Sequence, residues 1–326
     1  MLNWQFGPVA VAVGLMLTAV PPVLDLDLGQ ASAQDPTTSQ EEPVRETEGS
    51  ATGAPSAPAT EESSPRPFLR RGPLAPRPLT PEEHEEAERL KKLAAMFGTD
   101  PTAIVGRVQF SATYYDLPQE AQATTGVARV DLPFRGNWLL RTDVPFLQWT
   151  DPNRTGVPSA QGVSDLLVLL GWRAYNTPEY AVLLGMITTF PTASETQVGL
   201  GKYTLGPLVA TARFLPRIQS FLFGVFQYQT SVGGDPSRQN VSVGRALAQI
   251  NTIWTVHWWT IVQGVWQVDW ERNGKSSMTA EFELGRNLVG GLGMYVRPGV
   301  GVWGQSLLGA YDWNVEAGVR LMFRSF

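Results

Sequence analysis

Two stretches of this chain carry the same charged pattern. Arg129-Val130-Asp131-Leu132-Pro133-Phe134 is followed, across Arg135-Gly136-Asn137, by Arg141-Thr142-Asp143-Val144-Pro145-Phe146. Guanidinium and carboxylate groups two residues apart share one face of an extended strand, because side chains alternate with period two. A turn centred on Gly136 sets Arg129 opposite Asp143 and Asp131 opposite Arg141. Opposite charges directly across a strand pair attract, more strongly where the dielectric is lowered. The chemistry on offer is charge pairing, either to satisfy an interior or to meet a solute. Proline cannot donate to a strand ladder, so a bulge is expected at Pro133 and Pro145.

Covalent chemistry has little to draw on. The chain has no Cys, which excludes thiol nucleophiles, disulfides and Cys-based metal sites. Its two histidines, His84 and His257, lie before the strand-rich region and at an expected turn, so neither an enzyme nor a metal centre is indicated. No Gly-rich phosphate cradle is present, and no cofactor is expected. Residues 101–326 hold 15 acidic and 17 basic side chains, too balanced for the basic stripe that nucleic acid requires.

The elements that position these charges follow from a period of two that starts at residue 103. Twelve strand-like runs cover about 103–115, 122–134, 137–149, 163–175, 179–190, 203–215, 218–231, 241–254, 257–270, 277–287, 290–303 and 312–326. The connections alternate between short turns and longer, turn-rich loops such as "TDPNRTG" and "VGGDPSRQ". An even number of long antiparallel strands with that alternation is the layout of an outer-membrane β-barrel. Closure is required because hydrocarbon offers no partner for an open sheet edge. The expected fold class is therefore all-β, a closed antiparallel transmembrane barrel over 103–326, with both ends on the periplasmic side.

Run 257–270 shows which face meets lipid. Trp258, Thr260, Val262, Gly264, Trp266, Val268 and Trp270 share one parity and carry no charge. Trp258 to Trp270 spans about 40 Å of strand at about 3.3 Å per residue, or about 30 Å when tilted by about 40°. These two, with Tyr114, are expected in the aromatic girdles at the lipid interfaces. The opposite parity is polar. It assigns to the lumen Arg107, Arg129, Asp131, Arg141, Asp143, Asp165, Arg173 and Arg213 in the first half. In the second half it assigns Arg245, Asp269, Glu281, Glu283, Arg297, Glu316 and Arg320. The mixture of signs gives little ground for strong ion selectivity.

Ahead of the barrel, residues 1–33 read as a cleaved signal peptide, with an apolar run from Val9 to Val23 and a small-residue site at Ala31-Ser32-Ala33. A membrane-spanning helix is the other reading, opposed by Pro21-Pro22 and the Asp25/Asp27 pair. Residues 34–79 are rich in Pro, Ser, Thr and Glu and read as a disordered linker. Residues 80–98 read as one short periplasmic helix, with Thr80 as cap, Pro81 at its first position and Glu83 completing a capping box. Gly98 ends it, and Leu90, Leu93, Ala94 and Phe97 form a stripe that must dock on something. Residues 34–98 could engage a periplasmic partner.

The stretches "QGVSDLLVLLGWRAY", "GMITTFPTAS" and "VGLGKYTLGPLVATARF" within 161–215 resemble the outer-membrane β-barrel transporter family associated with the MetA pathway of phenol degradation. The matching residues are Gly162, Asp165, Pro191-Thr192, Gly199, Gly201 and Gly206-Pro207, while Ser164 stands where that family has Gly. The resemblance extends through "ELGRNL" and "EAGVRLMF" and implies a barrel more than it implies a substrate; no catalytic residue carries over. Phe326 fits the terminal aromatic of such barrels but is out of phase with Leu321 and Phe323. Either Phe323 takes that role or the last strand is bulged. The expected function is passage of small solutes through a mixed-charge lumen, with outer-membrane lipid around it. The alternative is a structural or adhesive barrel.

Overall fold

The computed structural model describes residues 79–154, 156–304 and 309–323. The signal peptide, nearly all of the linker and Phe326 lie outside the described residues.

The helix α1 spans Pro81–Phe97. Its capping box is formed: the Glu83 backbone N–H donates to Thr80 Oγ1 at 3.3 Å, and the Thr80 N–H donates to Glu83 Oε2 at 2.8 Å. Gly98 closes it in the left-handed conformation, φ 66°, a backbone state that favours glycine. Twelve long strands follow, with one short extra strand. They are β1 Gly106–Asp116, β2 Gln122–Phe134, β3 Trp138–Asp151, the short β4 Ala160–Gly162, β5 Leu166–Asn176, β6 Tyr180–Phe190 and β7 Lys202–Leu215. After them come β8 Ser220–Gly234, β9 Ser242–Ile253, β10 Trp258–Asp269, β11 Lys275–Val289, β12 Leu292–Trp303 and β13 Trp313–Phe323.

Every long strand pairs antiparallel with its sequence neighbours, and β1 pairs with β13, which closes the barrel. Among the described residues only the strand β4 stands outside the ring; it pairs back on Gln148–Thr150 within the long β3–β5 connection. The bulge expected at Pro145 is present. Gly126 faces Leu147 and Ala128 faces Val144, so β3 carries one residue more than β2 there. Pro133 needs no bulge; it stands in register with Leu139.

The two faces differ as the period predicts. Along β10, Trp259, Ile261, Gln263, Val265, Gln267 and Asp269 are buried, whereas Trp258, Val262 and Trp266 are exposed. The exposed face carries aromatic groups at both levels. Phe134, Trp138 and Trp172 make a row of ring contacts at the short-turn end, with centroids 6.3 Å apart at each step. Tyr114 lies 5.3 Å from Trp313 at the long-loop end, where Phe190 meets Tyr203 edge-on at 6.2 Å. Phe323 stands opposite Gly106 in the β1–β13 register.

The helix is folded into the short-turn end of the barrel. Leu90, Ala94 and Phe97 belong to one buried cluster with Leu183, Leu208, Phe214, Phe221 and Trp259. Burying a Leu or Phe side chain contributes about 1.5–3 kcal/mol. The polar contacts around the rim are largely exposed: Arg217 Nε with Glu83 at 2.6 Å, and Arg89 and Glu86 with Gln219. Such pairs contribute about 0–1 kcal/mol each, so the apolar stripe dominates the docking.

Candidate functional site: the barrel lumen

The charged repeat forms the ladder its spacing predicts. Arg129 donates to both Asp143 oxygens, at 2.7 and 2.8 Å. Arg141 does the same to Asp131, at 2.8 and 3.1 Å. Asp131 also receives Arg107 from β1, with Nε at 2.8 Å. A second network crosses β10 to β13. Glu283 accepts from Trp259 Nε1 at 2.7 Å and Arg320 Nη2 at 3.0 Å, and it is paired with Arg297. Arg297 Nη1 reaches Glu316 at 3.1 Å, and the Tyr295 hydroxyl donates to the same carboxylate. The Arg320 guanidinium lies 4.3 Å from the Tyr295 ring centroid, a favourable stacking for a desolvated cation.

These networks join the helix to the barrel. The carbonyl of Gly98, at the negative end of α1, accepts from Arg107 Nη1 at 3.0 Å and Arg320 Nη1 at 3.1 Å. Cations at a helix C-terminus are favourable, and here they are lumen residues. The ring of Phe97 stacks on Trp259 at 5.2 Å. A Cβ on Gly285 would lie 2.0 Å from the Trp259 ring, so only glycine leaves room for that indole beneath the helix end.

Above Gly98, Thr99 and Pro101 lies a cavity of about 220 Å³. One wall is charged, with Arg107, Arg129, Arg141, Asp143, Arg297 and Arg320. The facing wall, from β5 to β8, is mainly apolar, with Leu167, Leu169, Leu183, Ile187, Leu208 and Phe223 beside the two β8 amides Gln227 and Gln229. This half departs from the expectation of a uniformly polar lumen. It is the wall whose lower part receives α1, and an apolar helix stripe can only be buried against apolar side chains. Runs such as "LLVLLGW" and "AVLLGMI", apolar on both parities, are its signal in the sequence. At the far end, the Tyr311 hydroxyl donates to Glu281 at 2.6 Å, and its ring lies 5.6 Å from Tyr115, so the segment before β13 folds over that mouth.

Four residues expected in the lumen are engaged at its rims instead. Asp165 accepts backbone N–H groups from Ala193, at 3.1 Å, and Leu200, tying two loop segments together. Asp269 likewise holds its own loop through the Glu271 N–H at 3.0 Å and Arg272 at 3.1 Å. Arg213 lies 3.5 Å from Glu179 at the short-turn end, and Arg173 reaches Asn137 there at 3.4 Å. Each sits near a strand terminus, where the inward parity leads out of the lumen. Asp165 also explains part of the motif pattern in 161–201: a Cβ on Gly199 would lie 2.2 Å from Ala193 and 2.8 Å from Asp165.

The segment after α1 holds a buried carboxylate. Asp100 Oδ1 accepts from the Thr102 backbone N–H at 2.9 Å and its hydroxyl at 2.6 Å, while Oδ2 has no partner. Burial pushes this carboxyl above its ordinary range, against the opposing pull of Thr102 and Lys91. Lys91, half-buried and donating to the Thr177 carbonyl at 2.7 Å, is pushed below the usual lysine range by desolvation.

No protein-family model matches the chain, and no curated protein matches it. Solved structures do. The COG4313 outer membrane channel from Pseudomonas putida F1 superposes with TM-score 0.50 at 9% identity, over 68% of this chain and 96% of that one. The NanC porin gives 0.47 at 13% identity, over 66% and 98% of the two chains. The KdgM porin, solved in complex with disordered oligogalacturonate, gives 0.45 at 9% identity, over 67% and 99%. The fold defined by the closed twelve-strand ring, its apolar outer face and its aromatic belts is that of outer-membrane β-barrels.

Proposed function

We propose that the chain is an outer-membrane channel for small solutes, inserted with its short turns toward the periplasm. The observation that carries this reading is the cavity inside the closed barrel, lined by both charged and apolar side chains. In the conformation described, α1 and residues 98–101 form its floor. Passage then requires α1 to shift or leave the mouth. The paired arginines offer hydrogen bonds without a large net charge, which suits semi-selective passage better than strong ion selectivity. Girdle residues Tyr114, Trp258 and Trp270 set the depth of the barrel in the bilayer, and a periplasmic partner acting on α1 would be the natural opener.

Liposome swelling tests the reading. The full chain is expected to admit glycerol and xylose slowly and to exclude raffinose, and Leu90→Asp is expected to accelerate the small solutes. Liposomes that stay impermeable to all three with both proteins would leave a structural or adhesive barrel as the remaining function.

A further inference from the structure

Arg245 is set apart from the other arginines of the cavity. Arg107, Arg129, Arg141, Arg297 and Arg320 each make at least one ion pair with a lumen carboxylate. Arg245 makes neither an ion pair nor a hydrogen bond among the described residues, yet it lines the same cavity. Glu281 makes no ion pair with Arg245; it is engaged by the Tyr311 hydroxyl and by Gln263 Nε2, both at 2.6 Å, and by Arg297 at 3.8 Å. Gln227 stands directly opposite Arg245 on β8, and Gln249 follows on the same face of β9. Both amides line the cavity without a hydrogen-bond partner among the described residues. A guanidinium enclosed in a barrel without a hydrogen-bonded partner is costly to keep, and an incoming anion in direct contact relieves that cost.

The position of Arg245 adds a second requirement. Strand β9 is the seam where the charged wall meets the apolar one, and Leu247, Phe223 and Leu208 line the same cavity. A ligand held by Arg245 must lay its remaining surface on these groups. The cavity of about 220 Å³ is smaller than the roughly 300–1,000 Å³ typical of drug-sized sites. We propose that the cavity holds a binding site for small amphipathic carboxylates. The carboxylate would take the bidentate face of Arg245 with support from Gln227 and Gln249, and the apolar body would lie on the β6–β8 wall. This deepens the channel reading, on which it rests, by naming the solute class.

Binding can be separated from passage. The full chain in detergent is titrated with benzoate, with benzamide as the neutral isostere and with acetate as the carboxylate lacking an apolar body. Benzoate is expected to bind more tightly than either control. Arg245→Gln should weaken benzoate by at least about tenfold, the loss of one charge-assisted contact, and leave benzamide unchanged. Arg245→Lys keeps the charge but not the bidentate fork, so it should fall between the parent and Arg245→Gln in benzoate affinity, a check that the site survives substitution. Equal affinity for benzoate and benzamide, equal affinity for benzoate and acetate, or benzoate binding that ignores Arg245→Gln would each overturn the proposal. Because the titration needs no transport, the liposome result bears on the channel reading alone.

Discussion

Arg129 and Asp143 face each other with side chains that are 15% and 9% exposed. Removing one partner of such a pair leaves the other buried without compensation, which costs more than removing both. A double-mutant cycle with Arg129→Ala and Asp143→Ala should therefore show coupling of about 1–3 kcal/mol in unfolding free energy. The pair Asp131 and Arg141 should give a less simple cycle, because Arg107 holds Asp131 from the other side. Additive losses for Arg129 and Asp143 would contradict the ladder. This ladder was legible because spacing alone decided it: one turn centre and a period of two fix both partners. The engagement of Asp165 and Asp269 was not. A carboxylate at a strand end has the parity of the lumen but the neighbourhood of a loop, and sequence does not say where inside ends.

At the scale of elements, α1 shows the same division. Its cap, its first proline, its terminal glycine and its apolar stripe were all readable, because each is a local property of a helix. Its destination was not, since only tertiary structure brings Phe97 onto Trp259. The apolar wall that receives it was hidden in strands lacking alternation. The segment after the helix adds a pH dependence. Burial holds the Asp100 carboxyl above its ordinary range in the folded protein. A raised carboxyl binds its proton more tightly when docked, so the stability it favours is present at low pH and is lost as pH rises from the ordinary carboxylate range through the raised value. Asp100→Asn removes that titration while keeping an acceptor for Thr102. The variant should be the more stable protein at pH 7, by about 1–3 kcal/mol, the cost of a buried polar group left without a full set of partners. The difference should vanish towards pH 4 and below. Thermal unfolding of both proteins across that range measures it. A variant less stable at pH 7, lacking a rise in stability with pH that the parent shows, would establish that the charged form is the one the site favours.

For the molecule as a whole, strand number, connection lengths and the lipid-facing parity were read from sequence because a barrel in hydrocarbon tolerates few alternatives. Boundaries shifted by a few residues, as where Pro216–Ile218 forms a tight turn before β8. The short β4 was invisible, being three residues inside a loop. What results is a closed barrel with a cavity inside it and a helix across one mouth. This arrangement is tested most directly by single-channel recording of the full chain beside Phe97→Ala in a planar bilayer. The stacking of Phe97 on Trp259 holds the helix end in place, so the full chain should show brief openings separated by long closed periods. Phe97→Ala should open more often, to the same or a larger conductance. Identical traces from the two proteins would show that α1 does not close the path, and a silent bilayer with both would show that the lumen is not a path at all.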